Sequence, residues 1–160
     1  MMYSIEFDSD LIKGVELIDI DLLNPHEKII ERKKTSLAKF IKSYDSYYII
    51  SSIVCCHKSL LIIDGHHRYF ALKELGVNKA PVTLIDYQSN SIRTGSTNPL
   101  DKKYIVDIGK SSDLLEPKST EHAVYCNKLK SWEPIILLSS MFKINTKEIC
   151  LLYTSPSPRD

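Results

Sequence analysis

The chain has 160 residues, 43% hydrophobic and 26% charged, with Lys+Arg at 21 and Asp+Glu at 20 for a formal net charge of +1. That length closes one hydrophobic core rather than two, and the composition excludes a wholly disordered chain. The near-neutral balance gives no broad electrostatic grip on nucleic acid or an anionic membrane, which leaves room only for a local basic site.

No run approaches the roughly 18 apolar residues that mark a membrane-spanning helix. The N-terminal text MMYSIEFDSDLIKG has no basic segment followed by an apolar core, so no secretory signal is expected. Cysteines stand at 55, 56, 126 and 150 and form no C-x-x-C pair. Reduced thiols in a cytoplasmic protein are expected, not a zinc ribbon or a disulfide framework.

Val15–Ile20 alternates weakly and predicts a first strand. Asn24-Pro25-His26-Glu27 follows. Asn24 suits an N-cap, Pro25 the first helical position, and Glu27, three after the cap, a capping box. A helix is predicted from there to about Ser43. Ile30, Leu37, Phe40 and Ile41 form its apolar stripe, and Glu31–Lys34 its solvated face. Tyr47–Val54 is rich in β-branched and aromatic residues and predicts a strand, with a second at Ser59–Ile63 and a turn at His57-Lys58 between them. His66–Leu75 predicts a helix with Phe70, Ala71 and Leu75 inward and Gly76 as its stop.

Pro81–Asp86 is a further strand, 88–101 a polar loop, 102–116 a short strand and a short helix, Pro117–His122 a turn, and Ile135–Phe142 a strand or a helix. Tyr3, Phe7, Tyr44, Tyr47 and Tyr48 are expected in the core or at its rim, and Trp132 is a weak candidate for stacking a base. Short strands mixed with helices predict a compact α+β domain, a small mixed sheet with flanking helices. No dinucleotide-type glycine fingerprint or P-loop occurs.

Cys150–Asp160, CLLYTSPSPRD, resembles one reading frame of a common sequencing-library adapter. It is expected to be non-native and is set apart from the fold. The expected division is a domain over 1–125, an extension over 126–149 that continues beyond Ile149, and the tail.

The chemistry concentrates at Asp64-Gly65-His66-His67-Arg68-Tyr69, between a buried strand and a helix. Gly65 permits a positive φ or close backbone approach. The free N–H groups of the helix start make an anion site, and His66, His67 and Arg68 add positive charge there. Cations are unfavourable at a helix N-terminus, which makes sense when an anion sits between them. Phosphate fits, with Arg68 able to bind it bidentately. The alternative is Asp64 as a plain N-cap with exposed histidines. Zinc on His57, His66 and His67 is disfavoured by their spacing.

LIIDGHHRYFALKELGVNKAPVTLIDY (61–87) resembles the nucleotide-binding core of the ParB/sulfiredoxin superfamily, and within it the free L-serine kinases. The likeness extends to IDLLNPHEKIIERKKTSLAKFI (20–41) and to LLEPKSTEHAV (114–124). Sulfiredoxins carry a reactive Cys where this chain has His66. Chromosome-partitioning proteins carry a basic Gly-Glu-Arg-Arg-like box and a DNA-binding domain, neither of which is expected here. The resemblance implies transfer of a phosphoryl group from ATP or ADP to free L-serine, giving O-phospho-L-serine. Gly65, His66, His67 and Arg68 would hold nucleotide phosphates. Mg²⁺ would bridge them, assisted by Asp64, and nucleic acid is not an expected partner. Glu27 would be the catalytic carboxylate that takes the hydroxyl proton, alongside Asp64. Lys118, Ser119, Thr120 and His122 would meet substrate. Where the family commonly has Arg before that His, this chain has Glu121, which puts the substrate in question. Two further functions stand beside the kinase: a ParB-like nucleotide-binding regulatory module without turnover, and a ParB-like nuclease.

Overall fold

The computed structural model describes residues 5–44, 46–95, 100–111 and 113–145. Its centre is a four-stranded mixed sheet in the order β1 (Ile12–Asp19), β5 (Lys79–Ile85), β3 (Ile53–Cys56), β4 (Ile62–Asp64). β1 runs antiparallel to β5, β3 parallel to β5, and β4 antiparallel to β3. A two-stranded sheet pairs β2 (Tyr47–Ser51) with β9 (Met141–Asn145), and a three-stranded one joins β6 (Ile92–Thr94), β7 (His122–Cys126) and β8 (Ser131–Pro134). The helices are α1 (Glu31–Lys42), α2 (His66–Glu74) and α3 (Lys102–Gly109).

The continuous apolar run of β3 follows from burial on both faces. Ile53 and Cys55 point into a core shared with Ala38 and Ile41 of α1, Ala71 and Leu72 of α2, and Tyr48 and Ile50 of β2. Val54 and Cys56 point the other way, to Ile105 of α3, Val124 of β7, Tyr87 and Leu138. β4 hands the chain to α2 between these layers, and there the candidate site lies. The α+β class is as expected.

The start of the first helix differs from expectation. α1 begins at Glu31, and Ile30 at its cap makes no side-chain bond. Asn24 pairs in strand fashion instead. Its N–H donates to the Leu60 carbonyl at 2.9 Å, its own carbonyl accepts from Ile62 at 2.8 Å, and its amide donates to the Ser59 carbonyl at 2.8 Å. Three tertiary hydrogen bonds outweigh the single local one a cap supplies. The capping box with Glu27 therefore does not form. Residues 26–28 instead run beside Leu115, with Leu115 N–H on the His26 carbonyl at 2.8 Å and Lys28 N–H on the Leu115 carbonyl at 2.7 Å.

The strand expected over 47–54 divides at buried Ser52, each half serving a different sheet. The polar loop over 88–101 contains β6, and 102–116 begins with α3, capped by Asp101. Ile135–Leu138 is a 3-10 turn followed by β9, which settles the strand-or-helix alternative as one of each. The boundary expected after residue 125 falls inside β7, and β9 pairs with β2, so residues 126–145 are part of the same body. Ile149, the adapter-like tail and Tyr3 lie outside the described residues. Tyr48 is fully buried, Phe7 packs on the core, and Tyr44 and Tyr47 are exposed at the rim. Cys55, Cys56 and Cys126 are buried free thiols. Among the described residues no helix is long and apolar enough to cross a membrane.

Candidate active site

A cavity of about 360 Å³ opens at the end of β4. The first turn of α2, from Gly65 to Arg68, forms one wall with Ile63 and Asp64. Glu27, Lys118, Thr120, Glu121 and His122 form the second, and Pro134, Ile135 and Ile136 an apolar third.

Gly65 has φ +108° and caps α2 with no side chain of its own. A Cβ there would stand 2.8 Å from Arg68 Nη2, because the guanidinium lies over the glycine. Glycine is therefore required both by conformation and by close approach. Arg68 Nη2 donates to Asp64 Oδ2 at 3.0 Å, so Asp64 anchors the arginine rather than capping the helix. Arg68 Nε is buried without a hydrogen-bond partner.

The two histidines of the turn differ from expectation. Nε2 of His66 accepts the backbone N–H groups of His26 and Glu27, at 3.1 and 3.3 Å. Nε2 of His67 accepts the N–H of Ile30 at 3.0 Å. A nitrogen that accepts an N–H carries no proton, so neither ring offers that nitrogen as a cationic donor. Burial holds both below the ordinary histidine range, and for His67 the charges of Lys33 and Lys118 add to this. Their visible work is to tie the 26–30 segment to α2. Positive charge comes from Arg68, Lys118 and Lys33. Lys118 stands close enough to Lys33 to push its ammonium below the usual lysine range. Such crowding of cations suits an anion.

Glu27 is almost wholly buried. Its Oε1 accepts the N–H of Lys118 at 2.9 Å, and Oε2 accepts the N–H and the hydroxyl of Thr120 at 3.1 and 2.5 Å. These bonds hold a strained turn, since Lys118 and Glu121 have φ of +58° and +38°. Behind it, His26 is fully buried, with Nε2 at 3.1 Å from the Thr120 hydroxyl. That hydroxyl spends its one proton on Glu27, so His26 must be the donor in this pair. Burial lowers the affinity of His26 for a second proton, and Glu27 partly opposes this.

Of the expected site residues, Glu27, Asp64, Gly65, His66, His67, Arg68, Lys118, Thr120 and His122 line one cavity. Ser119 does not. It is exposed in the turn, with its N–H on the Glu116 carbonyl at 3.3 Å. Trp132 lies on β8 with the Arg93 guanidinium 4.5 Å above its ring. His26, Tyr87 and the Pro134–Ile136 wall join the expected residues around the site. His26 stood within the motif, but Tyr87 and the wall carry no local signal.

A resident metal does not fit. Among the described residues no three His, Cys, Asp or Glu cluster to hold one. Asp64 Oδ2 serves Arg68, and both Glu27 oxygens serve the 118–120 turn. The expected contact is of another kind, a Mg²⁺ carried by nucleotide phosphates, for which Asp64 would offer Oδ1, the oxygen outside its pair with Arg68.

No family model matches the chain. It is 38% identical over 110 residues to an ATP-dependent L-serine kinase of Staphylothermus marinus, covering 66% of this chain and 41% of that one. It is 29% identical over 118 residues to a ParB-like protein of Sulfolobus acidocaldarius, covering 73% and 56%. The chain thus spans about half the length of these curated relatives or less. A solved free serine kinase in complex with AMP is similar at 22% identity and a TM-score of 0.45, over 61% of this chain and 44% of that one. In sequence the chain is thus similar to an L-serine kinase and to a ParB-like protein, the resemblance that residues 61–87 carry.

Proposed function

We propose that this protein is a small-molecule kinase that moves a phosphoryl group from ATP or ADP to the hydroxyl of free L-serine, yielding O-phospho-L-serine. The observation that carries the proposal is one cavity lined by both Glu27 and the Gly65–Arg68 turn. Phosphoryl transfer asks mainly for positioning and charge neutralisation, with a group to receive the hydroxyl proton. Arg68, Lys118 and the N–H groups of the α2 start would hold the phosphates. Glu27 would orient the serine hydroxyl and take its proton as the Oγ–P bond forms and the phosphorus–oxygen bond to the departing ADP or AMP breaks. Mg²⁺ would enter with the nucleotide as part of the substrate. Thr120 and His122 would hold the amino acid. Glu121, on the cavity wall, tempers the positive charge there and bears on which substrate is accepted.

A second function draws support from Glu27 itself. Its oxygens already hold the 118–120 turn, as they would in a nucleotide-binding module without turnover. One experiment separates the two. The full chain is incubated with L-serine, Mg²⁺ and ATP or ADP, and O-phosphoserine is followed by mass spectrometry with Arg68→Ala in parallel. Serine-dependent product, lost in the variant, supports the kinase, and the better donor names the nucleotide. Nucleotide binding that needs Arg68, with no product, supports the module.

A further inference from the structure

Tyr87 follows β5 and is fully buried. Its hydroxyl stands 2.7 Å from Nε2 of His122, the first residue of β7. The expected site residues did not include it. Only one proton can lie between two such atoms, and its owner decides what His122 offers the cavity.

Burial first, and then the nearby Cys56 and Asp101, push the phenol above its ordinary range, so Tyr87 keeps its proton. Burial also pulls His122 down to about 3, with the neighbouring His26 and Lys102 acting in the same direction. His122 is therefore a neutral imidazole. Among the described residues the Tyr87 hydroxyl has one hydrogen-bond partner, His122, so its proton is satisfied only when it donates to Nε2, which makes Nε2 the acceptor. A neutral imidazole that accepts at one nitrogen carries its proton on the other. Nδ1 is thus an N–H donor. It is buried and has no hydrogen-bond partner, and His122 lines the cavity beside Thr120 and Glu121. A buried N–H without a partner costs free energy, and an oxygen of a bound ligand would remove that cost.

We propose that Tyr87 is a positioning residue: its hydroxyl fixes His122 as an Nδ1–H donor that meets an oxyanion of the substrate in the cavity. The proposal rests on the kinase function for the identity of that oxyanion, which is the amino-acid carboxylate or the transferred phosphate. It does not rest on that function for the tautomer. A neutral donor suits this place, because Lys118 and Arg68 already supply charge. A further cation would tighten the hold on product as well as substrate.

The test has two arms on the full chain. In the first, ¹⁵N NMR of histidine-labelled protein reports the tautomer of His122. Nδ1–H in the wild type, lost or mixed with Nε2–H in Tyr87→Phe, is the expected result. Nε2–H in the wild type overturns the proposal. In the second, kinetics are measured for Tyr87→Phe, His122→Phe and His122→Asn. The asparagine amide can place an N–H where Nδ1 stood. The first two variants should raise one KM about tenfold, the worth of one hydrogen bond to a charged group, with kcat little changed. His122→Asn should recover most of the loss. A rise in the KM of L-serine identifies the carboxylate, and a rise in that of the nucleotide the phosphate. Both KM values unchanged in Tyr87→Phe contradict the proposal. A wild-type chain that makes no phosphoserine refutes the kinase while the NMR arm still decides the role of Tyr87.

Discussion

In the proposed kinase Glu27 would work in two directions at once. Its carboxylate holds the Lys118–Thr120 turn through three hydrogen bonds and faces the cavity where a hydroxyl would lose its proton. A group that accepts several hydrogen bonds is a weaker base, but a fixed one, and fixed geometry is most of what phosphoryl transfer needs. Gly65 is the other single residue on which the site turns. Gly65→Ala would place a Cβ against the Arg68 guanidinium and force a side chain onto φ +108°. The expected outcome is a loss of about 1–3 kcal/mol in urea unfolding, together with weaker nucleotide binding as Arg68 is displaced. Unchanged stability and unchanged binding would show that the guanidinium does not need to lie where it does.

At the scale of elements, the most explicit motif in the sequence is also what the fold uses most directly. The glycine in Asp64-Gly65-His66-His67-Arg68 marked a special backbone angle and close approach, and both are present. The Asn24-Pro25-His26-Glu27 text was misleading because it satisfies the local rules for a helix start. What overrode them was Leu60 to Ile62, 36 or more positions away, whose backbone groups Asn24 meets. Local pattern carries no word of such partners. The same holds for Ser52, where one apolar run serves two sheets, and for Tyr87, whose meaning lies wholly in His122. α3 shows the converse, a small residue whose reason is tertiary. A Cβ on Gly109 would collide with Leu61, which packs in the core beside the 24–62 pairing. Gly109→Ala should therefore cost about 1–3 kcal/mol as an overpacked core position. A thermal midpoint equal to wild type would mean that Leu61 gives way freely.

Over the whole molecule, the notable cost is the set of buried imidazoles between the two cores. His26 packs edge-on to His66 at 4.7 Å and to His122 at 5.7 Å between ring centroids. An unfolded histidine titrates near 6.5, whereas burial holds His26 and His66 below that and His122 at about 3. Below 6.5 the unfolded chain takes up protons that the folded chain refuses. Stability from these groups is therefore complete above that pH and falls as pH drops toward the folded values. The slope is about 1.4 kcal/mol per pH unit for each histidine. Urea midpoints at neutral and mildly acidic pH test this, and a midpoint that does not fall on acidification would contradict it.

The central question is whether Glu27 acts in chemistry as well as in holding its turn. Glu27→Gln keeps the size of the side chain and removes its charge. The direct measurement is O-phosphoserine formation by this variant beside its nucleotide affinity, with a melting curve to confirm folding. Turnover is expected to fall by about 100-fold or more, the ordinary loss on removing a general base, while nucleotide affinity falls far less, because the amide oxygen still accepts from one side of the 118–120 turn. A folded Glu27→Gln that phosphorylates serine at the wild-type rate would contradict it.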